Sequence, residues 1–300
     1  MNPKPGGYMY VLQWLAIFLA VPTMWLDKAR GFPLLPAALL ALGYGAALVT
    51  GQLGVKAFYA LTLLLLLAYG VAPARPRLVR YAAHTVFFVL AIALGMHALP
   101  GFINPVAIDH QRFTADATPY TMYLNLDKPL AGFWLLLVLP WVRGPQRPGD
   151  ALRAGASAGL ATSVACMGLA MVLGVVAWAP KAPAISWLWM LNNLLIVCFT
   201  EEAFFRGFVQ GGLRRLLGSR RYGDHLALGG ATLLFGMSHI GGGWQWVALA
   251  SVAGLGYGLA YRFGGLRAAI LAHFGMNAVH FFLFSYPMLQ PALSAQYKIG

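Results

Sequence analysis

Glutamate is almost missing from this 300-residue chain. Glu201 and Glu202 are the only two, and they sit side by side in the apolar stretch NNLLIVCFTEEAFFRGFVQGG. Charged residues of either sign make up 10% of the chain, against roughly a quarter in a soluble domain. That shortage excludes an ordinary soluble globular fold. Cysteine is scarce too: Cys166 and Cys198 lie in apolar segments, without a partner at disulfide or metal spacing, and read as packing residues. There is no His-Glu-x-x-His sequence, which argues against the commonest zinc-protease arrangement. Nor is there a Ser/His/Asp set: Asp224 falls in a loop, and no serine sits in a nucleophile-elbow context. Internal repeats are lacking as well. The N-terminal run YMYVLQWLAIFLAVPTMWL follows Lys4 without a small-residue cleavage site, so it is expected to be a first spanning helix rather than a removed signal.

What the chain has is hydrophobicity, at 60% of residues and a mean hydropathy of +0.69. The expected fold is all-α, a polytopic transmembrane bundle of about 8–10 spanning helices, each needing about 20 apolar residues. Candidate spans run over 8–26, 33–51, 57–72, 80–99, 129–142, 154–179, 186–213, 226–241, 244–262 and 267–286, the fifth and eighth being short. A net charge of +13 would suggest nucleic acid in a soluble protein. Here the bases lie between apolar runs, where they set membrane orientation, and no nucleic-acid partner is implied. Lys28 and Arg30, then Arg75, Arg77 and Arg80, then Arg143, Arg147 and Arg153, then Arg214, Arg215, Arg220 and Arg221, and finally Arg262 and Arg267 occupy alternate loops. The opposite side holds only Lys4, Lys56, Arg112, Lys128, Lys181 and Lys298, which places both termini outside.

The longest loop, about 100–128, carries Asp109, Asp116 and Asp127 among Pro, Thr and Tyr, and reads as either a plain connector or an ordered outer cap. The linker RGPQRPGD at 143–150 divides the chain into an N-terminal transmembrane region (1–149), a core (150–290) and a tail (291–300). In the first of these, only His84 and His97 are ionisable residues within spans, each placed near a span end. Small-residue spacings, Gly155-x-x-x-Gly159, Gly207-x-x-x-Gly211 and Gly254-x-x-x-Gly258, suit close helix approach in lipid.

Ionised side chains in hydrocarbon are expensive, so those that persist there mark function or pairing. Residues four apart share a helix face, which lets Glu202 meet Arg206, a partner with a planar fork for a carboxylate. Glu201 points about 100° away round the helix. The two glutamates are therefore expected to differ, Glu202 held ionised by Arg206 and Glu201 left without an ionic partner, where desolvation and a like charge favour its protonated form and let it take a proton from water. The next span offers Phe235 and His239, again four apart, and the last offers His273 and Asn277, with His280 a further turn on. Singly, each suits helix–helix contact. Together they supply a base, an imidazole and two side chains able to donate to an oxyanion.

Glu201-Glu202-x-x-x-Arg206, Phe235-x-x-x-His239 and His273-x-x-x-Asn277 together resemble the three motifs of the CPBP family of intramembrane proteases, also called the CAAX-protease and bacteriocin-processing or ABI family. The resemblance covers roughly 155–286. It implies a glutamate-dependent endopeptidase with its site in a membrane cavity and no cofactor. Glu201, assisted by His239, would activate water; Glu202 and Arg206 would orient that base; His273 and Asn277 would hold the oxyanion. The implied partners are the lipid bilayer and a peptide or protein substrate at or in it. Eukaryotic members trim prenylated CAAX proteins, and bacterial relatives look like membrane or peptide-processing enzymes. Short loops and heavy Ala, Gly and Leu use point to a bacterial inner membrane.

Rival readings use the same residues. Glu201, His239 and His273 form a possible catalytic zinc set with Glu202 as base, although the Arg206 pairing weighs against it. Intramembrane Glu, His and Arg also suit a proton-coupled transporter, and a scaffold or immunity protein would keep the fold without activity. One tension stands: on these span limits Glu201 lies at mid-membrane, His239 near an outer helix end and His273 near an inner one. Tilted helices, a re-entrant eighth span or shifted limits are needed to bring them to one depth.

Overall fold

The structure, a computed structural model, describes residues 5–26, 33–145, 149–218 and 220–290. Lys4, Lys28, Arg30, Arg147 and the 291–300 tail with Lys298 lie outside the described residues. The fold is a polytopic helical bundle. Two compact units arise from non-consecutive segments: Met1–Pro105, Leu124–Val142 and Leu195–Phe204 in the first, Val106–Tyr123, Arg143–Leu194 and Phe205–Gly300 in the second.

In the first unit, helices α1 (Pro5–Thr23) and α2 (Leu34–Val49) pack closely where Gly43 lies against Ile17. Buried Gln13 is satisfied there by Gln52 and Thr50, at 3.1 and 3.2 Å. Helices α3 (Ala57–Gly70) and α4 (Arg77–Gly95) follow, joined through Gly70 and Ala83. His97 falls just past the end of α4, as expected, whereas His84 sits about two turns inside it.

Helix α5 (Lys128–Val138) departs from expectation. The sequence promised a span over 129–142. The helix holds only 11 residues, about 16 Å, because Pro140 forces Leu139 out of helical geometry and a short 3-10 turn follows. Instead of crossing, α5 fills the unit's core, with Pro129 to Leu136 buried throughout. Its Trp134 stacks on Phe87 at 4.0 Å and donates to the Leu64 carbonyl at 2.8 Å.

The second unit contains α6 (Asp150–Val172), most of α7 (Ser186–Leu217), α8 (Gly223–Met237) and α9 (Trp244–Leu283). α9 has 40 residues, about 60 Å, twice the hydrocarbon thickness. Its one break is Gly265 (φ 71°, ψ −166°), a conformation open to glycine because it has no Cβ. The two spans expected at 244–262 and 267–286 are thus both present, as two helical segments of α9 that meet at this residue. The glycine spacing at 155 and 159 brings α6 onto α9, where Gly155 meets Ala268 and Leu271, and Gly159 meets the Ala272 backbone.

The loop at 100–128 is no plain connector. Its middle forms a hairpin of β1 (Val106–Gln111) and antiparallel β2 (Tyr120–Tyr123), seated on a buried cluster of Ile108, Met122, Trp189 and Phe281. The hairpin loop is tied to the chain's far end, since Thr118 donates to Met288 and Gln290 donates to Asp116. Elsewhere in this unit, Arg214 and Arg262 share Asp224 at 2.9 and 3.5 Å.

Among the described residues, four helices are long and apolar enough to cross a membrane: Arg77–Gly95, Asp150–Val172, Ser186–Leu217 and Trp244–Leu283. Four shorter apolar helices accompany them among the described residues, the expected fifth span, α5, being one; the expected eighth, the 15-residue α8, is also too short to cross alone. Leu65, Leu66, Val89, Val164 and Val172 face outward, which hydrocarbon favours and water does not. The chain is an integral membrane protein.

Candidate active site

Within the second unit, a cavity of about 90 Å3 opens among α6, α8 and α9. It has room for a few waters. His239, His273 and Asn277 all line it, together with Tyr257, Trp246 and His280.

The depth problem for the two imidazoles disappears because α8 is short. Its 15 residues rise only about 22 Å, so its end stops level with the middle of the last span. Phe235 of α8 accordingly lies 5.9 Å from the His273 ring and 4.8 Å from that of His239. Beyond Met237 the chain makes one 3-10 turn and re-enters at Gly243, whose positive φ of 90° starts α9.

Each polar group has a defined orientation. The Nδ1 of His239 lies 2.9 Å from the Phe235 carbonyl. A carbonyl only accepts, so Nδ1 carries the proton and Nε2 is the basic nitrogen. His273 is buried and lies flat on Tyr257, 4.4 Å between ring centroids and 14° between planes. Asn277 donates through Nδ2 to Asn193 Oδ1 at 3.2 Å. Asn193 opens a π-helical stretch, Asn193–Cys198, of the kind often found at functional sites. His280 is buried at the outer end of the cavity, with Tyr286 and Trp246 at 5.0 and 6.5 Å.

Arg206, on a second π-helical stretch (Ala203–Gln210), is fully buried. Its guanidinium lies 4.3 Å from the Phe235 ring centre and 5.2 Å from that of Tyr257, and Nη2 donates to the Gly254 carbonyl at 3.0 Å. One turn on, Gln210 donates to the Gly258 carbonyl at 3.0 Å. The expected Gly254-x-x-x-Gly258 spacing therefore serves side-chain approach: without Cβ atoms, both carbonyls are open to α7.

Glu201 and Glu202 belong to the first unit. Glu202 is fully buried. Glu201 is not the unpartnered carboxylate expected from helix geometry: Lys128 Nζ stands 2.5 Å from its Oε1. Sequence reasoning had placed Lys128 among the outer-loop charges. Nothing local links it to Glu201, 73 residues away, and only the docking of α5 on Phe199 brings them together. Asn193 also went unremarked, although the Asn192-Asn193 pair inside an apolar run is itself a signal that polar partners are needed. Both cysteines are buried and free, and Cys166 lines the cavity wall. In neither unit, among the described residues, do three His, Cys, Asp or Glu side chains gather as a metal-ligand group.

Residues 183–279 fit a family model described as type II CAAX prenyl endopeptidase Rce1-like, consistent with the CPBP resemblance. The matched stretch contains Glu201, Glu202, Arg206, His239, His273 and Asn277. No curated protein and no solved structure matches the chain.

Proposed function

On the premise that residues 183–279 form an Rce1-like protease domain, we propose that this chain is an intramembrane endopeptidase of glutamic type. Its substrate is a peptide or protein at or in the bilayer, and its core spans 150–290. The observation that carries the proposal is the convergence of His239, His273 and Asn277 on one cavity inside the segment matched to an endopeptidase family.

In this reading Glu201 accepts a proton from water as the water oxygen attacks the scissile carbonyl carbon, with His239 Nε2 holding the water's second hydrogen. The oxyanion that forms takes hydrogen bonds from His273 and from the Asn277 amide. Glu202 and Arg206 fix the helix segment that carries the base. Collapse of the intermediate breaks the C–N bond, and the proton held by Glu201 passes to the leaving amine. The products are one carboxylate and one amine, with no cofactor consumed.

The zinc alternative, with Glu201, His239 and His273 as ligands, is weakened by the Lys128 ammonium, since a cation already lies against the Glu201 oxygen a metal would need. Residence in a bacterial inner membrane belongs to the same proposal.

The test uses the purified protein in proteoliposomes with an internally quenched, farnesylated CAAX peptide as probe. Cleavage by the parent, insensitive to chelators and lost in Glu201→Gln with folding retained, is the expected result. Undiminished cleavage by a folded Glu201→Gln variant would overturn the mechanism.

A further inference from the structure

The acid of the proposed mechanism is contacted by a residue from outside the endopeptidase match. Lys128 lies in the N-terminal half, 55 positions before residue 183, where the match begins. Its Nζ to Glu201 Oε1 distance is 2.5 Å, and each side chain is 17% exposed, so the pair is largely withdrawn from water.

A lysine side chain is long and flexible, and by itself defines the geometry of its partner poorly. Here its base is anchored. The Lys128 backbone N–H donates to the Asp127 carboxylate at 2.9 Å, capping α5. Asp127 is buried and receives two further bonds, from His97 Nδ1 at 2.9 Å and Asn104 Nδ2 at 3.0 Å. Asn104 in turn accepts from the Leu126 N–H at 2.8 Å, and Tyr44 donates to the Leu126 carbonyl at 2.8 Å. Behind Lys128, α5 sits tightly against the helix bearing Glu201: a Cβ at Gly132 would come within 2.7 Å of the Phe199 ring. Residues 44, 97, 104 and 127 thus form a polar scaffold that anchors the backbone of Lys128, whose ammonium meets one carboxylate oxygen of Glu201.

Resting on the protease reading above, we infer that Lys128 is a positioning residue for Glu201. It holds the carboxylate in one orientation, the one from which it accepts a proton from water. A charge-assisted bond in a poorly hydrated site is strong enough to select one rotamer. On this account the N-terminal half of the chain supplies a working part.

A bland role exists, in which Lys128 only neutralises Glu201 so that the segment folds, and the experiment separates the two. Lys128→Met, Lys128→Gln and Lys128→Arg are each assayed with the farnesylated CAAX peptide in proteoliposomes, for kcat, KM and thermal unfolding. The expected result is a kcat about 100-fold lower in the neutral variants, the penalty of a slightly misplaced group. KM should stay within about twofold, and Arg should recover most of the rate, since both follow from orientation and charge alone. A folded Lys128→Gln with parental kcat overturns the inference. So does failure of both neutral variants to fold while Lys128→Arg stays folded and active, which would make the lysine a charge neutraliser only. Glu201→Gln serves as the control: if it cleaves like the parent, the protease mechanism itself has failed. If it is dead while folded Lys128→Gln is parental, only the role of Lys128 falls.

Discussion

The Tyr257 ring lies parallel to the His273 imidazole at 4.4 Å, while Phe235 meets the same imidazole edge-on at 5.9 Å. Two aromatic surfaces at right angles leave His273 one plane in which to sit, and that plane faces the cavity. An oxyanion donor works by being oriented before the charge develops, so removing the stacking surface should act on turnover. Tyr257→Leu is expected to lower kcat about tenfold on the farnesylated reporter with little change in KM. Tyr257→Phe, which keeps the ring, should stay closer to the parent. Equal loss in both variants would show that the hydroxyl, and not the stack, matters.

Arg206 should not be replaceable by lysine. Its planar guanidinium lies over Phe235 and donates to Gly254, and an ammonium has no flat face for the first contact. Losing a desolvated cation–π contact and weakening a charged hydrogen bond should cost about 2 kcal/mol or more. Thermal unfolding of Arg206→Lys in detergent should report that loss, and a midpoint equal to the parent's would contradict it.

The motif residues stand out in the chain because intramembrane charge is rare enough to be noticed singly, and helical spacing groups Glu202 with Arg206, then His273 with Asn277. What escaped depended on distance in sequence or on length. The Lys128–Glu201 pair joins positions with no local relation. The depth of His239 follows from α8 ending at Met237, four residues before the expected limit at 241, a boundary that hydropathy alone does not mark. Pro140 signals the end of α5, against the length a span needs, whereas the Gly264-Gly265 pair falls in the gap expected between the last two spans. The hairpin at 106–123 hid in a polar loop because its strands are short and only half apolar.

Lys181 gives a pH test outside the spans. It sits in the loop between α6 and α7, donates to the Phe284 carbonyl, and is pushed down to about 8 by desolvation, with nearby Asp116 partly opposing. Between pH 8 and the ordinary lysine range near 10.5, the unfolded chain binds more protons at this site than the folded one. Stability should therefore rise with pH across that window and be flat, on this account, below it. Lys181→Met removes the titrating group, so its unfolding midpoint should show a shallower rise from pH 7.5 to 9.5 than the parent's. Parallel curves would refute the assignment.

The contact of α6 with α9 rests on the absence of two methyl groups. A Cβ at Gly159 would lie 3.2 Å from the Ala272 Cα and 3.4 Å from its carbonyl oxygen, atoms of a backbone that cannot rotate away. At Gly155 the nearest neighbours would be Leu271 Cβ at 2.9 Å and the Ala268 carbonyl oxygen at 3.1 Å. Valine at 159 adds two further methyls to a space already filled, and overpacking of this kind costs about 1–3 kcal/mol. Ala272 directly precedes His273, so the displaced segment also carries the imidazole. Gly159→Val should accordingly lower both the unfolding midpoint and kcat. Gly168→Val, on the same helix with open space around its Cβ, should lower neither by more than a small fraction of that. If the two variants behave alike, close approach at 159 is not what seats the last span.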